Sequence, residues 1–403
     1  MDGNNGSQRT TIKLNIIEHP QKSGGPRAGV VVAVIAVILA VIVGLVLLFG
    51  TATKQKTRPT TMQNAIMQNT AMNGYNDPDA PHSQKVPEHT EDPGFIEGEY
   101  NAVFTVSSSV EAGQIAVINA ENISDPTRIE VNFYPELLYN GEAVRPVFYG
   151  EGGTYSALIP IPADSVSATE REKDFRVEIN YGLTSHSLEF KVFERSYSVI
   201  AANATDEQIA HRLTDVNIAA FRSLLTNTAN RTASKRLWVE DKFFSYYADG
   251  FKYSGQFWDV WRLSGGIEYR KESLDLKAKG NYNIVAVNSG IVVETGENEY
   301  LGKYVCVDHG MGLQTWYLHL SEVYVAEGDN VEAVTMAEYD KSYKVSGWDK
   351  AIGRCATKGT GFVENTNIAF SVMYTVNGVP VCPYSQNSGV GLEETGLDIA
   401  AYK

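Results

Sequence analysis

Between Gly29 and Gly50 the chain reads GVVVAVIAVILAVIVGLVLLFG, 22 residues with neither a charge nor a proline. At ~1.5 Å of rise per residue, a helix of that length matches the ~30 Å hydrocarbon core of a bilayer. A cleaved signal peptide has a shorter apolar stretch behind a short basic leader. Here a mostly polar stretch, residues 1–28, comes first. The run therefore predicts a single N-terminal transmembrane helix over 29–50, with a tail at 1–28 on one side and everything else on the other. Arg9, Lys13, Lys22 and Arg27 precede the span and Lys54, Lys56 and Arg58 follow it, so counting positive charge leaves the orientation nearly balanced.

Residues 51–96 are rich in Thr, Asn, Gln and Pro without apolar periodicity and read as a flexible linker. Beyond them NAVFTVSSS, QIAVINAEN, RIEVNFYPE, YSALIPIPA, FRVEINYG and SLEFKVFE alternate apolar and polar residues between Gly, Pro and Asn turns. That spacing predicts a small antiparallel β-sandwich over 97–196. A linking helix is expected within 203–236, with Ile209, Leu213, Val216, Ala220 and Leu224 near helical period and Thr205 and Gln208 at capping-box spacing. Strand patterns return from 237 to 390 and predict an antiparallel β barrel or sandwich, followed by a C-terminal tail at 391–403. The fold class is mainly β.

A net charge of −14 excludes a nucleic-acid binder, which needs basic surface to neutralise phosphates. Cys306, Cys355 and Cys382 lack C-x-x-C spacing, cannot all pair with one another, and read as small buried residues.

SLDL, VAVNSGIVVETG, GKYVCVDHGMGLQTWYLHLS, VAEGDNV, IGRC and NIAFSVMYTVNGVPVCPY follow in that order. This succession, over about 237–385, resembles the lysostaphin and LytM family of zinc metallopeptidases, and the strands upstream resemble the β-rich module that precedes the peptidase domain in some members. The resemblance implies a β core whose cleft holds one zinc, bound by the His and Asp of H-x-x-x-D and the second His of H-x-H. Catalytic histidines come from a Y-x-H strand and the first His of H-x-H, and the substrates are peptides of bacterial peptidoglycan. Such a fold places the large C-terminal part outside the cell membrane and the tail at 1–28 in the cytoplasm.

Carried over position by position, the family Asp falls on Asp275, but its partner His is Lys271. Asn367 and Ala369 stand where the H-x-H histidines belong, and only His319 keeps a catalytic position. One metal ligand of three remains. Alanine offers no donor, lysine brings a cation to a cation site, and asparagine cannot relay a proton as imidazole does. No cofactor is expected, zinc entering only if the site is rebuilt from other residues such as Glu272 or His309. His309, Tyr317 and Trp348 are candidate cleft or interaction residues. The extension Glu332 to Lys350, with Tyr339, Tyr343 and Trp348, reads equally as an interaction loop or as an element packing its own aromatics.

These readings lead to a membrane-anchored, non-catalytic peptidase-like protein of the bacterial envelope that binds a protein partner or a peptidoglycan peptide, as a wall-remodelling regulator or a sporulation-type complex component. The alternatives are an active metalloendopeptidase with a non-standard metal site and a structural envelope scaffold.

Overall fold

The computed structural model describes residues 101–167, 169–201, 212–246, 250–263, 268–363, 366–384 and 397–399. The expected N-terminal tail, membrane helix, linker, Thr205 cap and most of the C-terminal tail lie outside these residues. Among the described residues no helix is long and apolar enough to cross a membrane.

The first strand-rich region pairs β1 (Val103–Val106) with β3 (Ile115–Glu121), while β2 (Ser109–Glu111) joins a second sheet. With β4 (Ile129–Tyr134), the hairpin β5 (Leu138–Tyr139) and β6 (Glu142–Ala143), β7 (Tyr149–Glu151), β8 (Thr154–Pro160), β9 (Glu172–Tyr181) and β10 (Thr184–Phe193), it makes two four-stranded sheets of order β1-β3-β8-β7 and β2-β10-β9-β4. Alternation drives this: Phe175, Val177, Ile179 and Tyr181 of β9 all face inward. The sandwich is not purely antiparallel, because the short β2 leaves the first sheet and runs parallel to β10 at the border of the second.

After β11 (Val199–Ala201) comes α1 (Asp215–Ala229), whose N-cap Thr214 accepts a hydrogen bond from the Asn217 amide. Its buried residues are Phe221, Leu225 and Thr228. Val216, expected on the inner face, is 76% exposed. The helix presents its i, i+4, i+7 stripe from Phe221 onward, because Tyr300 and Phe362 offer rings there.

The C-terminal region adds β12 (Phe251–Gly255), β13 (Val260–Arg262), β14 (Glu268–Arg270), β15 (Leu274–Ala278), β16 (Tyr282–Val285), β17 (Gly290–Asn298), β18 (Gly302–Gly310), β19 (Leu313–Leu320), β20 (Glu322–Val323), β21 (Asn330–Val331), α2 (Met336–Ser342), β22 (Ala351–Cys355), β23 (Phe370–Val376) and β24 (Val379–Val381). An eight-stranded sheet runs β12-β15-β23-β19-β18-β17-β21, with β24 on β23, and a smaller sheet β16-β22-β20 packs on it. The large sheet ends in open edges at β12 and β21, so the barrel alternative gives way to a layered arrangement. Strands β18 and β19 are buried along nearly their whole length, which explains their continuous apolar runs.

The sandwich and the C-terminal sheets share a small core of Ala163, Phe257, Leu274, Cys382 and Tyr384. Beside it the fully buried Arg195 donates from Nε to the Ala112 carbonyl and from Nη2 to the Tyr384 carbonyl, at 2.9 and 2.8 Å, and pairs with Glu111. All three cysteines are free and buried, and burial first of all pushes their thiols upward.

Candidate functional site

Strand β15 and the turn before it bring Lys271 and Asp275 to one place, and β23, which Ala369 immediately precedes, brings Ser371 against Asp275. Asp275 lies opposite Ser371 in the antiparallel pair, and residues 369 and 371 share a face by the two-residue period of a strand. Asp275 is 0% exposed and Lys271 2%, and the Lys271 ammonium is ion-paired to Asp275 Oδ2. The other carboxylate oxygen, Oδ1, accepts from Ser371 Oγ at 2.7 Å and from Ser273 Oγ at 3.4 Å. The ammonium also sits 3.9 Å from the centre of the Trp261 ring. Burial pushes the Lys271 pKa down, and the Asp275 charge, then its hydrogen bond, hold it back up.

Lys271 is fixed along its backbone as well. Its amide donates to the Asp259 carbonyl and its carbonyl accepts from Trp258, at 2.9 and 2.7 Å. Asp259 is itself buried and its carboxylate accepts from the Ser198 and Gln256 amides. The lysine is therefore built into the site from both ends.

His319 closes β19 in the left-handed region, φ 64°, a conformation that strains any residue carrying a Cβ and needs its surroundings to hold it. Its amide donates to the Leu301 carbonyl, its carbonyl accepts from Thr360, and Nδ1 donates to the Thr360 carbonyl at 3.0 Å. Gly359 lets that segment pass, since a Cβ there would lie 3.0 Å from the His319 Cβ and 2.9 Å from Val363. Burial, and next the charge on Lys271, push the imidazole down to about 3, so it is neutral at any ordinary pH. His319 and Lys271 line a cavity of about 20 Å³ with Glu272, Tyr269 and Tyr300, room for about one water.

The remaining positions fall elsewhere. Asn367 is exposed, and Ala369 is fully buried with its amide bonded to the Leu276 carbonyl. Glu272 does not turn toward Asp275 as a replacement ligand: its Oε1 accepts from Tyr139 Oη at 2.9 Å, and burial pushes its carboxyl upward. His309 and Tyr317 are core residues and offer no surface to a partner. His309 is 0% exposed, its Nδ1 donating to the Ser289 carbonyl and its Nε2 bonded to Thr315 Oγ1, both at 2.8 Å. Burial holds its pKa down at about 4. Tyr317 Oη accepts from the Val287 amide at 2.7 Å. In the extension, Tyr339 and Tyr343 are buried against Phe244, Tyr246 and Tyr282, and Trp348 is half-buried on Tyr339. The packing alternative describes this element.

Among the described residues no three His, Cys, Asp or Glu side chains gather as a metal would require. Sequence reasoning missed Ser371, which with Trp261 completes the Lys271–Asp275 pair. The position of Ser371, two residues beyond Ala369 on the same strand face, was a usable signal. Trp261 stands in the sequence among the aromatics Tyr253, Phe257, Trp258 and Trp261 ahead of Asp275, a group that reads as core or as cleft wall, and the structure buries it over the Lys271 ammonium.

Residues 269–336 match peptidase family M23. The matched stretch contains Lys271, Asp275 and His319 and stops short of Asn367 and Ala369. No curated protein matches the sequence. Among solved structures, a putative peptidase M23 from Pseudomonas aeruginosa is 20% identical, with 63% of this chain and 91% of that one covered and a TM-score of 0.39. A mutant of the catalytic domain of the prophage-encoded M23 protein EnpA from Enterococcus faecalis is 19% identical, with 36% and 98% covered and a TM-score of 0.28. A structure of the SpoIIQ-SpoIIIAH pore-forming complex is similar at 22% identity, with 40% and 84% covered and a TM-score of 0.25.

Proposed function

We propose that this is a non-catalytic M23-like protein, anchored in the cell membrane by the apolar run at 29–50 and working on the outer side of that membrane by binding a protein partner or a peptidoglycan peptide. The observation that carries the reading is the Lys271–Asp275 pair: a protonated lysine already neutralises the one carboxylate left from the family's ligand set. Zinc would have to displace a buried cation and would find a methyl group at Ala369. Even with a metal, Asn367 carries no imidazole to accept a proton, and His319 with a pKa near 3 is held neutral beside an ammonium. The M23-like scaffold is then kept for what its surfaces bind.

The test is metal content and hydrolysis by the purified full-length chain in detergent. After dialysis against trace zinc, less than about a tenth of an equivalent should remain, because one donor does not hold the ion, and peptidoglycan sacculi should stay uncut. Replacing Lys271→His and Ala369→His together supplies the missing donors beside Asp275 and should raise bound zinc toward one equivalent. A full equivalent in the unaltered protein, lost on Asp275→Ala and accompanied by sacculus cleavage, overturns the reading.

A further inference from the structure

A second cleft, far larger than the cavity beside His319, opens between the β5–β6 hairpin with the segment after it, helix α1, and the β23–β24 turn, and its volume is about 940 Å³. Its size lies at the upper end of what folded proteins use for ligands. Two arginines, Arg145 from the segment after the hairpin and Arg222 from α1, line it together with a single acidic residue, Glu142. Both residues are exposed, and Arg222 also acts electrostatically on the buried Glu272 carboxyl and on Tyr139 in the cleft wall. Of the lining itself only Glu142 is acidic, and burial pushes the neighbouring Glu272 carboxyl upward, toward its neutral form, so in a chain of net charge −14 the cleft is a local reversal of the field.

The rest of the lining narrows the ligand. Asn140, Asn227, Asn230 and Asn377 present amides, each of which donates and accepts as a peptide bond does. The Asn377 amide nitrogen is buried with no partner among the described residues, leaving a donor that a carbonyl would satisfy. Strand β7, which ends one sandwich sheet, and β24, on the border of the large sheet, contribute Tyr149 and Val379 to the walls. Edge strands offer backbone groups in the register of another extended chain, which a glycan cannot match.

We propose that this cleft binds an acidic segment of a partner polypeptide in extended conformation, its carboxylates paired with Arg145 and Arg222. Forked guanidinium donors meet carboxylates through two parallel hydrogen bonds, and the asparagines then fix the main chain between them. The assignment concerns a site separate from the Lys271–Asp275 pair and stands whether or not that site hydrolyses anything.

The test uses the full-length chain in detergent and a fluorescein-labelled decapeptide alternating Glu and Thr, with Gln–Thr and Lys–Thr peptides alongside, read by fluorescence anisotropy. The acidic peptide should bind saturably, weaken at least tenfold between low and high salt, and outbind both others by tenfold or more. The double variant Arg145→Glu with Arg222→Glu should lose binding at least tenfold while its circular dichroism keeps the strand content of the parent. A matched charge reversal on the exposed pair Lys252 and Lys277, side by side on β12 and β15, should bind as the parent does. No saturable binding of the acidic peptide, equal binding of the Gln–Thr peptide, unchanged binding by the arginine variant, or tighter binding of an acidic oligosaccharide such as oligogalacturonate overturns the proposal.

Discussion

At the scale of single residues the chemistry turns on the buried pair of Lys271 and Asp275. A buried ion pair adds little net stability over apolar residues of the same size, yet removing one partner strands the other in a dry site. Lys271→Met should therefore lower unfolding free energy by about 3–5 kcal/mol, and adding Asp275→Leu should restore most of it, as read from denaturant midpoints. A single variant no less stable than the parent would mean that Lys271 and Asp275 do not hold one another as a buried ion pair. His309 makes a second, opposite statement about protons. Its folded pKa of about 4 lies below the ordinary 6.5, so between those values the unfolded chain binds a proton that the folded chain refuses. Its contribution is complete above pH 6.5 and drains away as pH falls toward 4, at up to ~1.4 kcal/mol per pH unit. The fall in stability from pH 6 to 5 should be smaller in His309→Gln by that amount, and equal slopes would count against a neutral core imidazole.

At the scale of elements, the extension from Glu332 to Lys350 folds as a short helix because its end is signalled locally. Thr335 and Glu338 form a capping box, and the two tyrosines one turn apart, Tyr339 and Tyr343, stack at 5.6 Å and turn inward. Tyr339 is fully buried and donates to the Asn283 carbonyl at 2.9 Å. Tyr339→Ala should cost about 3–5 kcal/mol in chemical unfolding, the usual loss for a large buried ring. A change under about 1 kcal/mol would return the extension to the class of surface loops, where substitutions move stability little. The capping box could have been read from the sequence, since T-x-x-E precedes the helix by its ordinary spacing. The inward turn of the tyrosines could not, because the rings they meet come from residues 244, 246 and 282. Helix α1 behaves in the same way: its existence follows from composition and periodicity, while its buried face starts at Phe221 because of where Tyr300 and Phe362 lie.

For the molecule as a whole, the sandwich and the M23-like sheets are joined by specific contacts. Arg195 crosses from one to the other, the Cys382 amide donates to the Gly113 carbonyl at 2.6 Å, and Tyr139 reaches Glu272. These contacts set the walls of the large cleft at a fixed separation and place the hairpin carrying Tyr139 between that cleft and the small cavity beside His319. The sequence by itself determined the strand-rich character, the position of the helix and the residue types at 271, 275, 367 and 369, because alternation, turn residues and motif spacing are local properties. It also supplied the chemistry that Lys271 and Asp275 bring. Only the tertiary structure decided that the lysine pairs with Asp275 under Trp261, that Ser371 caps the same carboxylate, that His309 and Tyr317 are core, and that Arg145 and Arg222 face one cleft. Those facts depend on residues far apart in the chain meeting in space, and pairing across sheets is set by packing that no single segment encodes.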